Sequence, residues 1–250
     1  MAPGSDRGDR LRCVADTKRV RRLTLAALTA VVLMMAVAAD LVLSPDPTAR
    51  AVDAKAIRVT SSNLITNPGT GQPTVVLSLY EDSLCPYCRR FEQTFGATVD
   101  KLIDIGAVAA DYYMVAILDR PGRDYSSRAG AAAYCVADQS IDAFRRFHAA
   151  LYTHQPAETA ASFPDNATLI DTARQAGADD AAADCINNDT YTAMVAGMAE
   201  ATNVTHTPTV RINGQDYELS TPDPLVARIK EIVGPVPGID APATSSPRPS

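Results

Sequence analysis

Tyr80-Glu81-Asp82-Ser83-Leu84-Cys85-Pro86-Tyr87-Cys88-Arg89-Arg90-Phe91-Glu92 joins two different kinds of pattern. Ahead of it, Thr74-Val75-Val76-Leu77-Ser78-Leu79 is a β-branched and aliphatic run suited to a buried strand. Behind it, Phe91, Phe95 and Val99 recur four apart, the spacing of one face of a helix. The pattern predicts a strand over 74–80, then the cysteine pair, then a helix running towards Ile105 with Gly106 as its stop. Two cysteines therefore stand where a strand ends and a helix begins.

That position has chemical consequences. The first turn of a helix leaves backbone N–H groups unpaired, and with the helix dipole they stabilise an anion. A thiol so placed falls from about 8.5 to roughly 3.5–7.5 and becomes a ready nucleophile and leaving group. Cys88, one turn further in, is placed to resolve a mixed disulfide on Cys85. Pro86 suits the first turn because no N–H is needed there. Zinc is the chemical rival, but a structural site takes four ligands. The chain has no second C-x-x-C, and His148, His154 and His206 lack ligand spacing, so no metal is expected. Two incidental cysteines are the remaining, blander reading.

Outward from the pair, Ala56–Thr60 and Asn63–Thr66 read as a short strand or hairpin, and Tyr112–Leu118 as a second buried strand. Residues 124–202 are Ala-rich with helical texture, including helices at Ser127–Val136, Ile141–Tyr152, Leu169–Ala176 and Tyr191–Ala201. Strand texture returns at Thr209–Ile212, with Asn213-Gly214 as a two-residue turn into a partner strand at Asp216–Leu219. A last helix follows Ser220-Thr221-Pro222, with Leu225, Val226, Ile229 and Val233 on its apolar face. A parallel crossover first and an antiparallel hairpin last imply an α/β fold with a mixed sheet. Phe91 and Phe95 read as core, and His148 and His154 as structural. Residues 234–250, rich in Pro, Ser and Thr, read as a disordered tail.

The net charge of -6 conceals a division. Residues 1–22 carry seven basic and three acidic side chains, whereas residues 23–250 carry 16 basic and 26 acidic ones. An acidic body is poorly matched to phosphate backbones, which sets nucleic-acid binding aside. From Leu23 to Leu43 the chain is apolar apart from Asp40, and Lys18-Arg19-Val20-Arg21-Arg22 precedes it. As a helix these residues span roughly 31 Å, enough for a bilayer core. The basic head is expected to stay cytoplasmic and the rest to be exported. An uncleaved single-pass signal anchor over 23–43 is favoured by length and by the long basic head. Cleavage after Ala36-Val37-Ala38, giving a secreted protein, is the alternative. Residues 44–55 form a linker to the domain at 56–233. Cys13 falls on the reducing side and reads as inert, while the other four cysteines share one compartment.

Leu84-Cys85-Pro86-Tyr87-Cys88-Arg89-Arg90-Phe91-Glu92, taken with Thr205-His206-Thr207-Pro208-Thr209-Val210-Arg211-Ile212-Asn213-Gly214, resembles the DsbA branch of the thioredoxin superfamily. The resemblance spans residues 55–235 and implies a thioredoxin-like fold whose helical insertion lies at 124–202. It implies that Thr207-Pro208 is a cis pair facing the active disulfide, and that Cys135 and Cys185 form a second, structural disulfide. The reaction implied is disulfide donation to unfolded exported proteins. It needs no cofactor, runs as a monomer and is recharged by a VKOR-like or DsbB-like membrane protein.

Two departures bear on the direction of that reaction. Tyr87 stands where the family's strong oxidants carry His. The acid that many relatives bury six residues before the first cysteine is replaced by Leu79. Glu81 and Asp82 read as solvated loop or edge charges, with a proton relay for Cys88 as the other reading. His206 reads either as a surface residue or as a group that tunes Cys85 or meets substrate. The rival functions are a reductase or isomerase of the same fold and a tethered, non-redox holdase.

Overall fold

The computed structural model describes residues 54–242. The basic head, the 23–43 segment, most of the 44–55 linker and residues 243–250 lie outside the described residues. Among the described residues no helix is long and apolar enough to cross a membrane.

In chain order the elements are β1 (Ile57–Val59), β2 (Val76–Glu81), α1 (Pro86–Asp104), β3 (Ala109–Met114), α2 (Tyr125–Ala137) and α3 (Ile141–Thr153). They continue with α4 (Asn166–Gln175), α5 (Asp180–Asn187), α6 (Thr192–Ala201), β4 (Thr209–Ile212), β5 (Gln215–Asp216) and α7 (Pro222–Val233). The sheet order is β1-β3-β2-β4-β5. Strand β2 pairs parallel with β3 and antiparallel with β4, so the expected mixed sheet with its helical insertion is present.

Strand β2 is central because its side chains are apolar on the side that meets α1. Leu77 and Leu79 are fully buried, and Phe91, Phe95, Val99 and Leu102 of α1 line the core opposite. Period 2 on the strand meets period 3.6 on the helix, which is the packing the sequence pattern demands. After α1 the chain must reverse sharply. Gly106 does so at φ +78°, and a Cβ there would lie 2.1 Å from the Asn63 carbonyl oxygen. No other residue type fits that site.

The insertion is tied internally. Helix α2 is buried along nearly its whole length. Gly130 lets it approach β3 and α6, since a Cβ would meet Val195 at 2.7 Å and Met114 at 3.0 Å. A disulfide joins Cys135 of α2 to Cys185 of α5, 50 positions apart. The eight-residue α5 was not anticipated as a separate helix; its start is set by Asp179, whose side chain accepts the Ala181 N–H.

Two expectations about the C-terminal part are corrected. The strand partner of β4 is shorter and earlier than 216–219. Asn213 and Gly214 both take positive φ, 50° and 80°, and close a two-residue turn onto Gln215–Asp216. Residues 234–242 do not form a loose tail. Val236 and Ile239 are buried at 8% and 2% exposure, and Lys101 Nζ donates to the Ile239 carbonyl at 2.8 Å and to that of Ala241. Two well-spaced apolar residues in a Pro-rich stretch suffice to dock it, which composition alone does not reveal.

Removing the bridge with the double variant Cys135→Ala, Cys185→Ala is expected to lower unfolding stability by about 4 kcal/mol, from the freed loop entropy. Urea denaturation under oxidising conditions checks this.

Candidate active site

The register of the central strands assembles the site. Tyr80, near the end of β2, pairs with Thr209 at the start of β4. The loop leaving β2 and the loop entering β4 therefore emerge side by side, and Cys85 meets Thr207. The Thr207-Pro208 peptide is cis, and Cys85 Sγ lies 3.5 Å from the Thr207 carbonyl oxygen.

Cys85 is the residue before α1, in an extended conformation, and Pro86 opens the helix. Its N–H donates to the Asp82 carbonyl at 2.9 Å, and its own carbonyl accepts the Arg89 N–H. Cys85 and Cys88 are free thiols, 5% and 0% exposed, while Tyr87 between them is 66% exposed. The hydrogen bond from the Cys88 thiol, with help from the Thr207 side chain and the N–H groups of Cys88 and Tyr87, brings Cys85 down to about 6 against the cost of burial. Burial pushes Cys88 well above its ordinary value, and the neighbouring Cys85 and Glu81 push the same way. One sulfur is thus a thiolate at neutral pH and the other a shielded thiol, the division of labour that exchange through a mixed disulfide needs.

Glu81 and Asp82, expected as solvated charges, are both buried, at 1% and 0% exposure. Strand β2 runs one residue further than expected, so Glu81 falls on the same face as Leu77 and Leu79. Asp82 is drawn in by backbone donors. Its Oδ1 accepts the Leu84 N–H at 2.8 Å and its Oδ2 the Leu118 N–H at 2.9 Å. Burial nevertheless raises the carboxyl to about 6, against those bonds and the pull of the nearby Ser126 side chain.

Three residues that local sequence did not single out complete the surroundings. Gln155 Nε2 donates to the carbonyls of Ser83 and Cys85 at 3.1 and 2.9 Å. Tyr152 is buried against Cys85 and Cys88. His148, read as structural, is buried with its Nε2 3.2 Å from Glu81 Oε2. All three come from α3 or the turn after it, and no short motif announces them. His206 is exposed, and its Nδ1 stands 3.5 Å from the Thr205 hydroxyl. No hydrogen bond from its ring to Cys85 occurs among the described residues.

Such a fold with such a pair defines a thiol:disulfide exchange protein. A thioredoxin family model matches residues 67–231. The structure superposes on that of reduced DsbA from Mycobacterium tuberculosis with a TM-score of 0.73 and 62% identity, over 75% of this chain and 96% of that one. With the thiol-disulfide oxidoreductase MdbA from Corynebacterium matruchotii the TM-score is 0.59 and the identity 25%, over 69% and 88% of the two chains. The serine/threonine-protein kinase PknE of Mycobacterium tuberculosis is 30% identical over 162 residues, 62% of this chain but only 28% of the kinase. The chain belongs to the thioredoxin family and is a DsbA-like thiol:disulfide oxidoreductase.

Two outcomes follow from this geometry. Alkylation of Cys85 in the reduced protein is expected to reach a plateau above pH 7 and to slow about tenfold by pH 5, as the thiolate protonates. Stopped-flow alkylation, with thiolate absorbance alongside, measures it. Replacing Asp82 with alanine leaves the Leu84 and Leu118 N–H groups without their acceptor. It is expected to cost about 3 kcal/mol of stability by denaturant titration.

Proposed function

We propose that this chain donates the Cys85–Cys88 disulfide to unfolded exported proteins. In this reading residues 23–43 anchor a monomeric domain outside the cytoplasm, and a VKOR-like or DsbB-like membrane protein restores the disulfide. A substrate thiolate attacks Cys85, Cys88 leaves as the shielded sulfur, and Thr207-Pro208 holds the extended substrate segment by backbone contacts. The exposed Tyr87 and His206 border the same opening and are placed to touch it.

The observation that carries the direction is the low value of the Cys85 thiol, about 6. Stabilising its thiolate favours the reduced pair, and a pair that prefers to be reduced is oxidising as a disulfide. The export reading is supported by the charge division between residues 1–22 and the remainder.

Equilibration with glutathione tests the direction. A potential more oxidising than about −200 mV is expected, and one near about −270 mV would assign the protein to the reductases instead. Oxidative refolding of a reduced client tests the chemistry itself. The Cys85→Ser variant is expected to lose the effect, and an unchanged folding yield would leave only a holdase.

A further inference from the structure

Below the cysteine pair, the insertion and the thioredoxin core share a buried polar line. Helix α3 contributes His148 and Tyr152, both 3% exposed. Glu81 of β2 brings Oε2 to 3.2 Å from His148 Nε2. Glu92 of α1 brings Oε2 to 3.9 Å from Nδ1 of the same ring. Aromatic rings wall the imidazole in, with those of Tyr112, Tyr152 and Phe144 centred 4.9, 5.1 and 5.5 Å away.

At its inner end the line meets Cys88. The Glu81 carboxylate acts on the Cys88 thiol, and the Tyr152 hydroxyl lies beside that carboxylate while its ring packs on both cysteines. At its outer end, Glu92 lines a surface recess with Arg89, Gln93 and Thr153. Glu81 also differs from its neighbour Asp82. Backbone N–H groups hold both oxygens of Asp82, whereas among the described residues neither Glu81 oxygen accepts a hydrogen bond.

Donor atoms of Glu81, Glu92 and His148 lie within 4.8 Å of one another, a spacing compatible with a metal. The two carboxylates, however, face opposite nitrogens of one imidazole. A metal would occupy a single nitrogen and draw both carboxylates to that side. An imidazole that faces a carboxylate at each nitrogen, at 3.2 and 3.9 Å, is placed to take a proton in at one and pass one out at the other once the side chains turn into line.

The chemistry supplies the need. Cys88 is enclosed, so it can neither lose nor gain a proton directly from water. We propose that Glu81, His148 and Glu92 form the proton path of Cys88, with His148 as the relay between the buried sulfur and solvent. When Cys88 resolves a mixed disulfide on Cys85, its proton passes to Glu81 as its sulfur attacks Cys85 Sγ. The Cys85–Cys88 bond forms, the bond from Cys85 to the partner sulfur breaks, and the partner leaves as a thiolate. Glu81 returns to its charged form by protonating His148 Nε2, and the Nδ1 proton leaves through Glu92. When a substrate thiolate opens the disulfide, the same path runs inward and protonates the departing Cys88 sulfur.

The titratable groups facing His148 are Glu81 from β2, Glu92 from α1, Tyr112 from β3 and Tyr152 from its own helix. Cys88 lies behind Glu81. Beyond Tyr112, Asp100 and Arg145 pair at 3.0 Å. The proposal rests on Cys85 and Cys88 being the reactive pair and holds for either redox direction.

The test uses reduced protein and oxidised glutathione, with acid quenching and mass spectrometry to time formation and resolution of the Cys85–glutathione adduct separately. In His148→Gln, formation and the Cys85 thiolate titration are expected to be unchanged. Resolution is expected to slow at least tenfold at pH 7, with an altered pH profile and solvent deuterium isotope effect. Unchanged resolution, or slowing without change in profile or isotope effect, overturns the relay. If His148→Gln does not fold, Glu92→Gln, at the surface end, is read the same way. A stoichiometric divalent metal in the purified protein also overturns it, since a metallated His148 cannot carry protons. Wild-type protein that forms no adduct at all would instead refute the redox reading.

Discussion

The pairing of Tyr80 with Thr209 across β2 and β4 is the constraint from which the site follows. Antiparallel strands bring the end of one beside the start of the other. Because the pairing begins where β2 is about to leave the sheet, Cys85 stands only five positions after Tyr80 and Thr207 only two before Thr209, which suffices to bring Cys85 to the Thr207 carbonyl. A slip of one residue would turn Leu77 and Leu79 to the wrong face. The hydrophobic core that fixes the fold thereby also fixes the sulfur.

That sulfur's acidity is then a contest between burial and donors. Cys88 is the more deeply enclosed of the two, and they move in opposite directions. Besides burial, the difference is the helix start. Cys85 receives the Cys88 thiol, the Thr207 side chain and the N–H groups of Tyr87 and Cys88, whereas Cys88 has the Asp82 N–H and faces the Glu81 charge. Asp82 serves this arrangement indirectly. Its carbonyl caps the Cys85 N–H and its carboxylate ties the loop to Leu84 and Leu118, so the helix begins where the sulfur needs it.

What could be read from the chain was whatever depends on nearby residues. The strand-to-helix switch around Cys85, the Asn213-Gly214 turn and the apolar face of α7 are local patterns, and the mixed sheet followed from them. The cis pair and the Cys135–Cys185 bridge came only through family resemblance, since no spacing dictates either. Missing from the sequence reading was burial decided by distant neighbours. Glu81 and Asp82 look like loop charges until α3 and the 115–119 loop close over them. Val236 and Ile239 look like tail until Lys101 binds the carbonyls around them. Asp82 did carry a usable signal, because an aspartate accepting the N–H two residues on is a common turn device. Gln155 carried none.

The insertion is accordingly more than a cap set on a thioredoxin core. A core alone supplies the cysteine helix, the central strand and the cis loop, which can make a thiolate but leave Cys88 sealed against an acid on β2. Helix α3 adds the imidazole that this acid faces and the tyrosine that closes the space between them. Its position is in turn held by Arg145, whose guanidinium bridges Asp100 and Asp104 of α1 at 3.0 and 2.9 Å. Phe144 and Phe147 are buried on its inner side. Closing the site against water leaves Cys88 able to react only if some group still exchanges protons with that sulfur. In this chain the family's usual acid position holds Leu79, and the burden moves two residues along the strand to Glu81, where a histidine from the insertion can reach it.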